Sequence, residues 1–270
     1  MLCGLFGVTR QSHYKAIRRV KTISFEHHLI IQRVDEIRKD LPRVGGKKLH
    51  YMLQDEFKLQ GIKIGRDQFF NLLRDNNRLI KRKRSGIRTT YSYRWFNRFD
   101  NLLKNFSPDA PNQVWVSDIT YVRTIKGFAY LSLITDSYSR RIMGYHLSKD
   151  LSTNGCVKAL KMAINSCTNT DGIIHHSDRG VQYCSTQYTK ILEEGNIRSS
   201  MTQPASPLDN AIAERINGII KQEFLDTYYL SGVRDTRQIL KKVVQSYNSK
   251  RPHSSLAYKT PNQCHYEEHV

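Results

Sequence analysis

Residues 114–148 read VWVSDITYVRTIKGFAYLSLITDSYSRRIMGYHLS, and this stretch decides the fold. β-Branched and aromatic residues crowd three runs, 114–122, 128–136 and 141–147, with Lys126-Gly127 and residues 137–140 supplying the turns between them. Three strands joined this closely make an antiparallel meander. Downstream, residues 152–166 suit a helix with Val157, Leu160 and Ile164 on one face, and residues 172–177 a fourth strand. A helix over 186–195 stopping at Gly195, a fifth strand over 197–201 and a long helix over 211–224 follow.

Three strands and then αβαβα give an α/β fold, a mixed sheet flanked by helices, in the order of a ribonuclease-H-like fold. Upstream the pattern is all-helical. Apolar Ile30, Val34, Ile37 and Leu41 recur at helical spacing over 24–41, with Ser24 available as N-cap and Pro42 closing the run. Leu49, Leu53 and Phe57 mark a second helical face, and Phe69, Leu72 and Leu73 a third, on either side of the turn GIKIG. Two short helices about a glycine-bearing turn suit a small helix-turn-helix-like domain over about 44–80. The expected organisation is a helical DNA-binding region over 1–80, a basic, aromatic linker over 81–107, and a catalytic core with a C-terminal helical extension over 108–270.

Charge divides the chain the same way. Residues 1–107 carry 24 Lys/Arg against 9 Asp/Glu, whereas 108–270 carry 19 against 15, within a net charge of +19. A basic first part favours a polyanionic partner, and nucleic acid is the commonest because neutralising phosphates releases counterions. Lys81, Arg82, Lys83 and Arg84 form the densest cluster, followed by Tyr91, Tyr93, Trp95 and Phe96 interleaved with Arg88, Arg94 and Arg98. That mixture suits either phosphate contact with base stacking or packing of the aromatics on the next domain. Arg66, at the start of the third helix, is a further candidate DNA contact. The five cysteines are widely spaced with no C-x-x-C pair, and His27-His28 has no cysteine pair after it, so no structural zinc is expected. The first residues carry too short an apolar run for a signal peptide and no stretch nears the ~18 apolar residues of a membrane span. The expectation is a soluble cytoplasmic protein.

Three carboxylates stand in contexts suited to phosphoryl transfer: Asp118 in the first strand, Asp178 just past the fourth, and Glu214 in the first turn of the long helix, 35 residues lying between the last two. Phosphodiester cleavage with two hard divalent ions about 4 Å apart needs such oxygen ligands. Each acid has a plainer reading: Asp178 a turn residue, Glu214 a favourable helix-start charge, Asp118 a solvent-facing strand residue. Asp118 resists its plainer reading most, because an isolated carboxylate among β-branched and aromatic neighbours is costly unless paired or metal-bound. Adjacent strand residues His175 and His176 point to opposite faces and do not form a ligand pair.

The words around the acids, VWVSDITYV, AYLSLITDSYSRRIMGYHLS, HSDRGVQY from His176 and SPLDNAIAERINGIIKQE, resemble those of bacterial insertion-sequence transposases of the retroviral-integrase (DDE) class, second-reading-frame type. YNSKRPHSSLAYKTP from Tyr247 extends the likeness, which spans nearly all of 110–262, with a looser match over 24–82. The resemblance implies metal-dependent DNA cleavage and strand transfer, with Asp118, Asp178 and Glu214 holding two Mg²⁺ or Mn²⁺ ions. It implies phosphate contact by Lys221, a DNA-binding or helix-orienting role for Arg215 and Asn217, and support of the site by His176. The implied partners are double-stranded DNA, as terminal inverted repeats and target, further copies of the chain on that DNA, and an upstream-frame protein or fusion. It places the protein in the bacterial cytoplasm, associated with the nucleoid. The residues 247–253 are expected to pack the C-terminal segment on the core. Two other functions fit less well: a target-capture protein without catalysis, against which the three acids argue, and a nuclease without strand transfer, against which ERINGIIKQE and YNSKRPH argue.

Overall fold

The computed structural model describes residues 9–80, 99–104, 106–203 and 210–267. The chain divides into two compact units, residues 1–83 and 84–270. The basic cluster Lys81, Arg82, Lys83 and Arg84 and the aromatic run through Phe96 lie outside the described residues.

The first unit holds α1 (Arg10–Asp40), α2 (Gly46–Leu59) and α3 (Arg66–Asp75). The first helix begins well before the expected start at Ser24: Thr9 caps it, its hydroxyl accepting from Ser12 N at 3.1 Å. No glycine or proline interrupts residues 10–40, so nothing in the chain ends the helix earlier. Only its second half buries apolar side chains. Ile30, Val34 and the following Leu41 join Leu49, Leu53 and Phe57 of α2 and Phe69, Leu72 and Leu73 of α3 in the buried set. Gly61, at φ +70°, closes α2 through Gly61 N to Lys58 O (3.1 Å) and Ile62 N to Phe57 O (2.8 Å), the left-handed turn that GIKIG calls for. Arg78 clasps Asp35 with two hydrogen bonds of 2.8 and 2.9 Å, which hold the carboxyl of Asp35 below its usual range.

The second unit is a five-stranded sheet of order β3-β2-β1-β4-β5, with β1 (Val114–Thr124), β2 (Gly127–Asp136), β3 (Ile142–Ser148), β4 (Ile174–Ser177) and β5 (Arg198–Met201). The meander pairs antiparallel as expected, while β4 joins β1, and β5 joins β4, in parallel. Helices α4 (Thr153–Asn165) and α5 (Thr186–Glu194) connect the later strands. Alternation along β1 sends its side chains to two different cores. Trp115 belongs to a core with Ile134, Met143, Leu160, Tyr188 and Leu192, built with α4 and α5. Val114 and Val116 belong to a second with Ile174 and Ala213, built with α6 (Ala211–Ile219). Residues 99–103, within the segment expected to be a linker, pack here too: Leu102 and Leu103 lie against the second core and Leu102 N donates to Ser200 Oγ at 3.0 Å.

Past Ile219 the expected single helix changes form, to a π-helical turn (Ile220–Phe224) and a 3₁₀ turn (Leu225–Thr227). Then come α7 (Val233–Lys250), a 3₁₀ turn and α8 (Pro261–Tyr266). The end of α7 is fastened to the sheet edge as the sequence led one to expect. Asn248 both accepts from Ile142 N and donates to Ile142 O, each at 3.0 Å, standing in for a strand beside β3, and Tyr247 Oη donates to Arg140 O at 2.9 Å.

Candidate active site

The β1–β4 register pairs Val114 with Ile174, Val116 with His176 and Ser117 with Ser177. Asp118 and Asp178 each stand one residue beyond the last pair. Side chains at matched positions on adjacent parallel strands, about 4.8 Å apart, share a face. Two rows therefore run side by side, Val114-Val116-Asp118 and Ile174-His176-Asp178, and each ends in a carboxylate on the face that packs against α6.

The spacing of α6 turns one of its faces toward that row. Asn210, Glu214, Asn217 and Lys221 recur at four, three and four residues, one stripe of a helix. Asn210, just before α6, donates Nδ2 to the carbonyl of Ser117 at 3.1 Å; Asn217 donates Nδ2 to Asp118 Oδ2 at 2.7 Å; Lys221 donates Nζ to Thr120 Oγ1 at 3.3 Å. The stripe thus runs along β1 from Ser117 to Thr120, with Glu214 within it between Asn210 and Asn217. Glu214 itself is exposed, as is Arg215.

Burial and neighbouring charge raise both aspartates. Burial, the neighbouring Asp178 and, less, Glu214 push Asp118 up to about 7, against the hydrogen bonds from Asn217 and from Ile119 N (2.8 Å). Asp178 is raised by burial and by Glu214, opposed by the hydrogen bond from Gly180 N at 3.0 Å. Half-buried aspartates whose pKa is raised by burial and by neighbouring acids carry poorly compensated negative charge, and all-oxygen donors of that kind suit a hard divalent cation. Each carboxylate oxygen that accepts one hydrogen bond keeps a second lone pair for a ligand. As placed, the acids are near one another without being gathered into a shell: among the described residues, no three His, Cys, Asp or Glu side chains stand close enough to hold an ion.

Both histidines of β4 serve structure around the site. His176 Nδ1 pairs with Ser200 Oγ at 2.8 Å, tying β4 to β5 beneath Asp178. His175, on the opposite face, meets Tyr188 Oη at 2.9 Å, and burial lowers it to about 3, so it stays neutral. Sequence reading missed Asn210, Thr120 and Tyr183. The phenol of Tyr183 accepts from Ser117 Oγ at 3.0 Å and so holds β1 beside the Asp178 loop from the other face. The signal for Asn210 was available in the helical stripe. Arg66 lies elsewhere, on the helical unit, where it lines a shallow depression of about 460 Å³ with Lys47, Phe70, Asn71 and Arg74 and pairs with Asp67 at 2.9 Å.

Comparison with known proteins settles the family. An insertion-element protein of 31 kDa from Shigella sonnei, of IS600, is 34% identical over 265 residues, 96% of each chain. Transposase InsF of IS3A from Escherichia coli is 28% identical over 268 residues, 97% of this chain and 92% of that one. Residues 108–207 and 195–261 match two family models described as integrase core domain. The chain belongs to the insertion-sequence transposases of the DDE, integrase-like class. The transposase is also 40% identical over 131 residues, 47% of each chain, to a putative transposase of IS986/IS6110 from Mycobacterium tuberculosis. Its ribonuclease-H-like fold recurs in a simian T-cell lymphotropic virus intasome in complex with PP2A regulatory subunit B56 gamma, with 21% identity, a TM-score of 0.51, and coverage of 84% of this chain and 76% of that one. It is a DNA transposase of the polynucleotidyl-transferase type, and no described helix is long and apolar enough to cross a membrane.

Proposed function

We propose that the transposase nicks the ends of its own insertion sequence and joins the freed 3′-hydroxyls to target DNA by in-line phosphoryl transfer at Asp118, Asp178 and Glu214. What supports this most is the pair of aligned rows that end in Asp118 and Asp178 beneath the helix carrying Glu214. Asp118, Asp178 and Glu214 would hold two Mg²⁺ or Mn²⁺ ions, which would supply activation of the nucleophile and neutralisation of charge on the leaving oxygen. Asn217 orients the Asp118 carboxylate. In the first step water attacks the phosphodiester and the 3′-oxygen leaves; in the second that 3′-hydroxyl attacks a target phosphodiester, whose own 3′-oxygen leaves. The protein forms no covalent bond to DNA. The helical unit, with Arg66 on its surface, binds the terminal inverted repeats, and several copies assemble on the DNA, alone or fused to an upstream-frame protein.

Purified protein with labelled terminal-repeat duplex and Mg²⁺ or Mn²⁺ should produce nicked ends and then joined products. Binding without nicking would instead support the target-capture reading, and nicking without joining a plain nuclease.

Lys221 offers a separate check. Its ammonium sits at the Thr120 end of the stripe, two residues along β1 from Asp118, and we place a DNA phosphate against it. Lys221→Ala should weaken end binding and reduce the slope of log K against log salt by about 0.9, one phosphate's worth. An unchanged slope would remove Lys221 from the DNA contacts.

A further inference from the structure

The side chain of Arg251 is 2% exposed, an unusual place for a guanidinium. It grips Glu223 with two hydrogen bonds, Nε to Oε2 at 2.8 Å and Nη2 to Oε1 at 2.7 Å, across 28 residues of chain. Its remaining nitrogen, Nη1, lies 2.9 Å from His253 Nε2 and 3.4 Å from Pro252 O, and its guanidinium carbon lies 5.9 Å from the Tyr247 ring centre. Glu223 belongs to the π-helical turn Ile220–Phe224, the turn that also carries Lys221. Residue 223 is nine positions from Glu214, which on a helix is the opposite side. The segment 211–224 is therefore held from two directions: one side by β1, through Asn210, Asn217 and Lys221, and the other by Arg251.

The far end of this grip is anchored as well. Arg251 follows α7 directly, and α7 is fixed to the start of β3 by Asn248 and to the preceding turn by Tyr247. A chain of contacts thus leads from the sheet edge at β3, through α7 and Arg251, to the turn following α6. A buried ion pair is a poor device for stability alone, since well-packed apolar residues commonly do as well; fixing one arrangement among several is its better-attested use. A π turn is the kind of element that needs fixing, because one extra residue per turn competes with the regular α-helix. The planar fork of arginine sets both distance and angle to a carboxylate, which a lysine cannot.

We propose that Arg251 is a positioning residue for the strand-transfer reaction: through Glu223 it holds the π-helical turn in register, and so holds the stripe of Glu214, Asn217 and Lys221 against Asp118. This rests on the proposed role of the acids, and turns the C-terminal YNSKRPH segment from packing into part of the frame that sets the site. Neither Arg251 nor Glu223 need touch DNA or an ion.

The test compares Arg251→Lys, Glu223→Gln and the double variant in the full chain. Glu223→Gln preserves shape, and the Glu223 side chain is 23% exposed, so this variant tests the idea without emptying the core. Single-turnover nicking at saturating DNA and Mg²⁺ should fall about 10- to 100-fold in each single variant, the scale of a misplacement near 1 Å. The double variant should be no slower than the worse single one, as expected for two partners in one contact. Affinity for end DNA should stay within about threefold. Hydrogen exchange followed by mass spectrometry should quicken across residues 211–224 and stay unchanged across 114–122. Exchange at 211–224 that matches wild type in both single variants would overturn the proposal, as would rate losses that multiply in the double variant. Exchange that quickens uniformly over the unit would also overturn it, by making Arg251 a general stabiliser. If the wild-type protein fails to nick with either ion, the proposed function falls, yet the exchange pattern still decides whether Arg251 holds the turn.

Discussion

Asp118→Asn should lose at least about 10³-fold in nicking and joining while becoming the more stable protein. The loss follows from the proposed role of Asp118 at the end of the β1 row, since a metal-holding carboxylate would serve charge stabilisation worth several kcal/mol in the transition state. The gain follows from the same position. Burial and two nearby acids hold the carboxyl at about 7 in the folded chain, against 3.8 for an ordinary aspartate. A raised carboxyl makes the folded state bind a proton that the unfolded state releases, so stability falls as pH rises from about 4 to 7, and the full penalty is present above 7. Allowing for the site's partial exposure, the penalty is roughly 1–3 kcal/mol, or about 2–4 °C in Tm per kcal/mol for a unit of this size. Asparagine removes the charge and keeps one oxygen to accept from Asn217, giving up the hydrogen bond from Ile119 N, a smaller loss than the charge penalty it lifts. Thermal unfolding in chelator should show the Asp118→Asn variant melting higher than wild type at pH 8, the gap closing as pH falls toward 4. Added Mg²⁺ should then raise the wild-type Tm and leave the variant's nearly unchanged, as ligand linkage requires. A variant that melts lower than wild type at pH 8 would mean that Asp118 is a compensated structural carboxylate.

Much of this was legible beforehand because local and long-range signals agreed. The meander could be read from β-branched runs and short turns, and the order of the later elements from helical spacing and caps. Asp118, Asp178 and Glu214 were legible as words, yet the register that sets the two aspartates side by side was not, since no local pattern states that Ser117 pairs with Ser177. Other features escaped for different physical reasons. The first half of α1 buries almost nothing, so apolar periodicity, the main sequence signal for a helix, is weak there even though no breaker stops it. The π turn at Ile220–Phe224 leaves the same apolar spacing in the sequence as an α-helix would, and its contact with Arg251 comes from 28 residues further along the chain. The end of the expected linker joins the core because Leu102 and Leu103 pack with Val114, Val116, Ile174 and Ala213, and Leu102 N donates to Ser200 of β5, about a hundred residues on. The sequence around Arg251 points to packing of the C-terminal segment; its pairing with Glu223, 28 residues away, has no local signal.

The second large effect concerns a residue with no side chain. Gly144 sits within β3, where glycine weakens a strand and so calls for a reason. The reason is the approach of α4: a Cβ built on Gly144 would overlap the carbonyl oxygen of Ala159 and stand 2.8 Å from Ala163 N and 3.0 Å from Ala163 Cβ. These are backbone and near-backbone atoms of a regular helix, so no rotamer change relieves them; α4 must lift from the sheet. Lifting it opens the core that holds Met143, Ala159, Leu160 and Ala163 under the meander. Gly144→Ala should therefore cost about 3 kcal/mol or more, beyond the ordinary penalty of overpacking because helix and strand must separate. Gly218 in α6 provides the contrast, since nothing lies within 4 Å of a Cβ built there. Gly218→Ala should gain up to about 1 kcal/mol from helix propensity. Chemical denaturation of the two variants should move their midpoints in opposite directions, and the loss in Gly144→Ala should lower nicking in step with the folded fraction, because β3 carries none of the three acids. If Gly144→Ala folded with wild-type stability, the tight packing of α4 on β3 would be wrong.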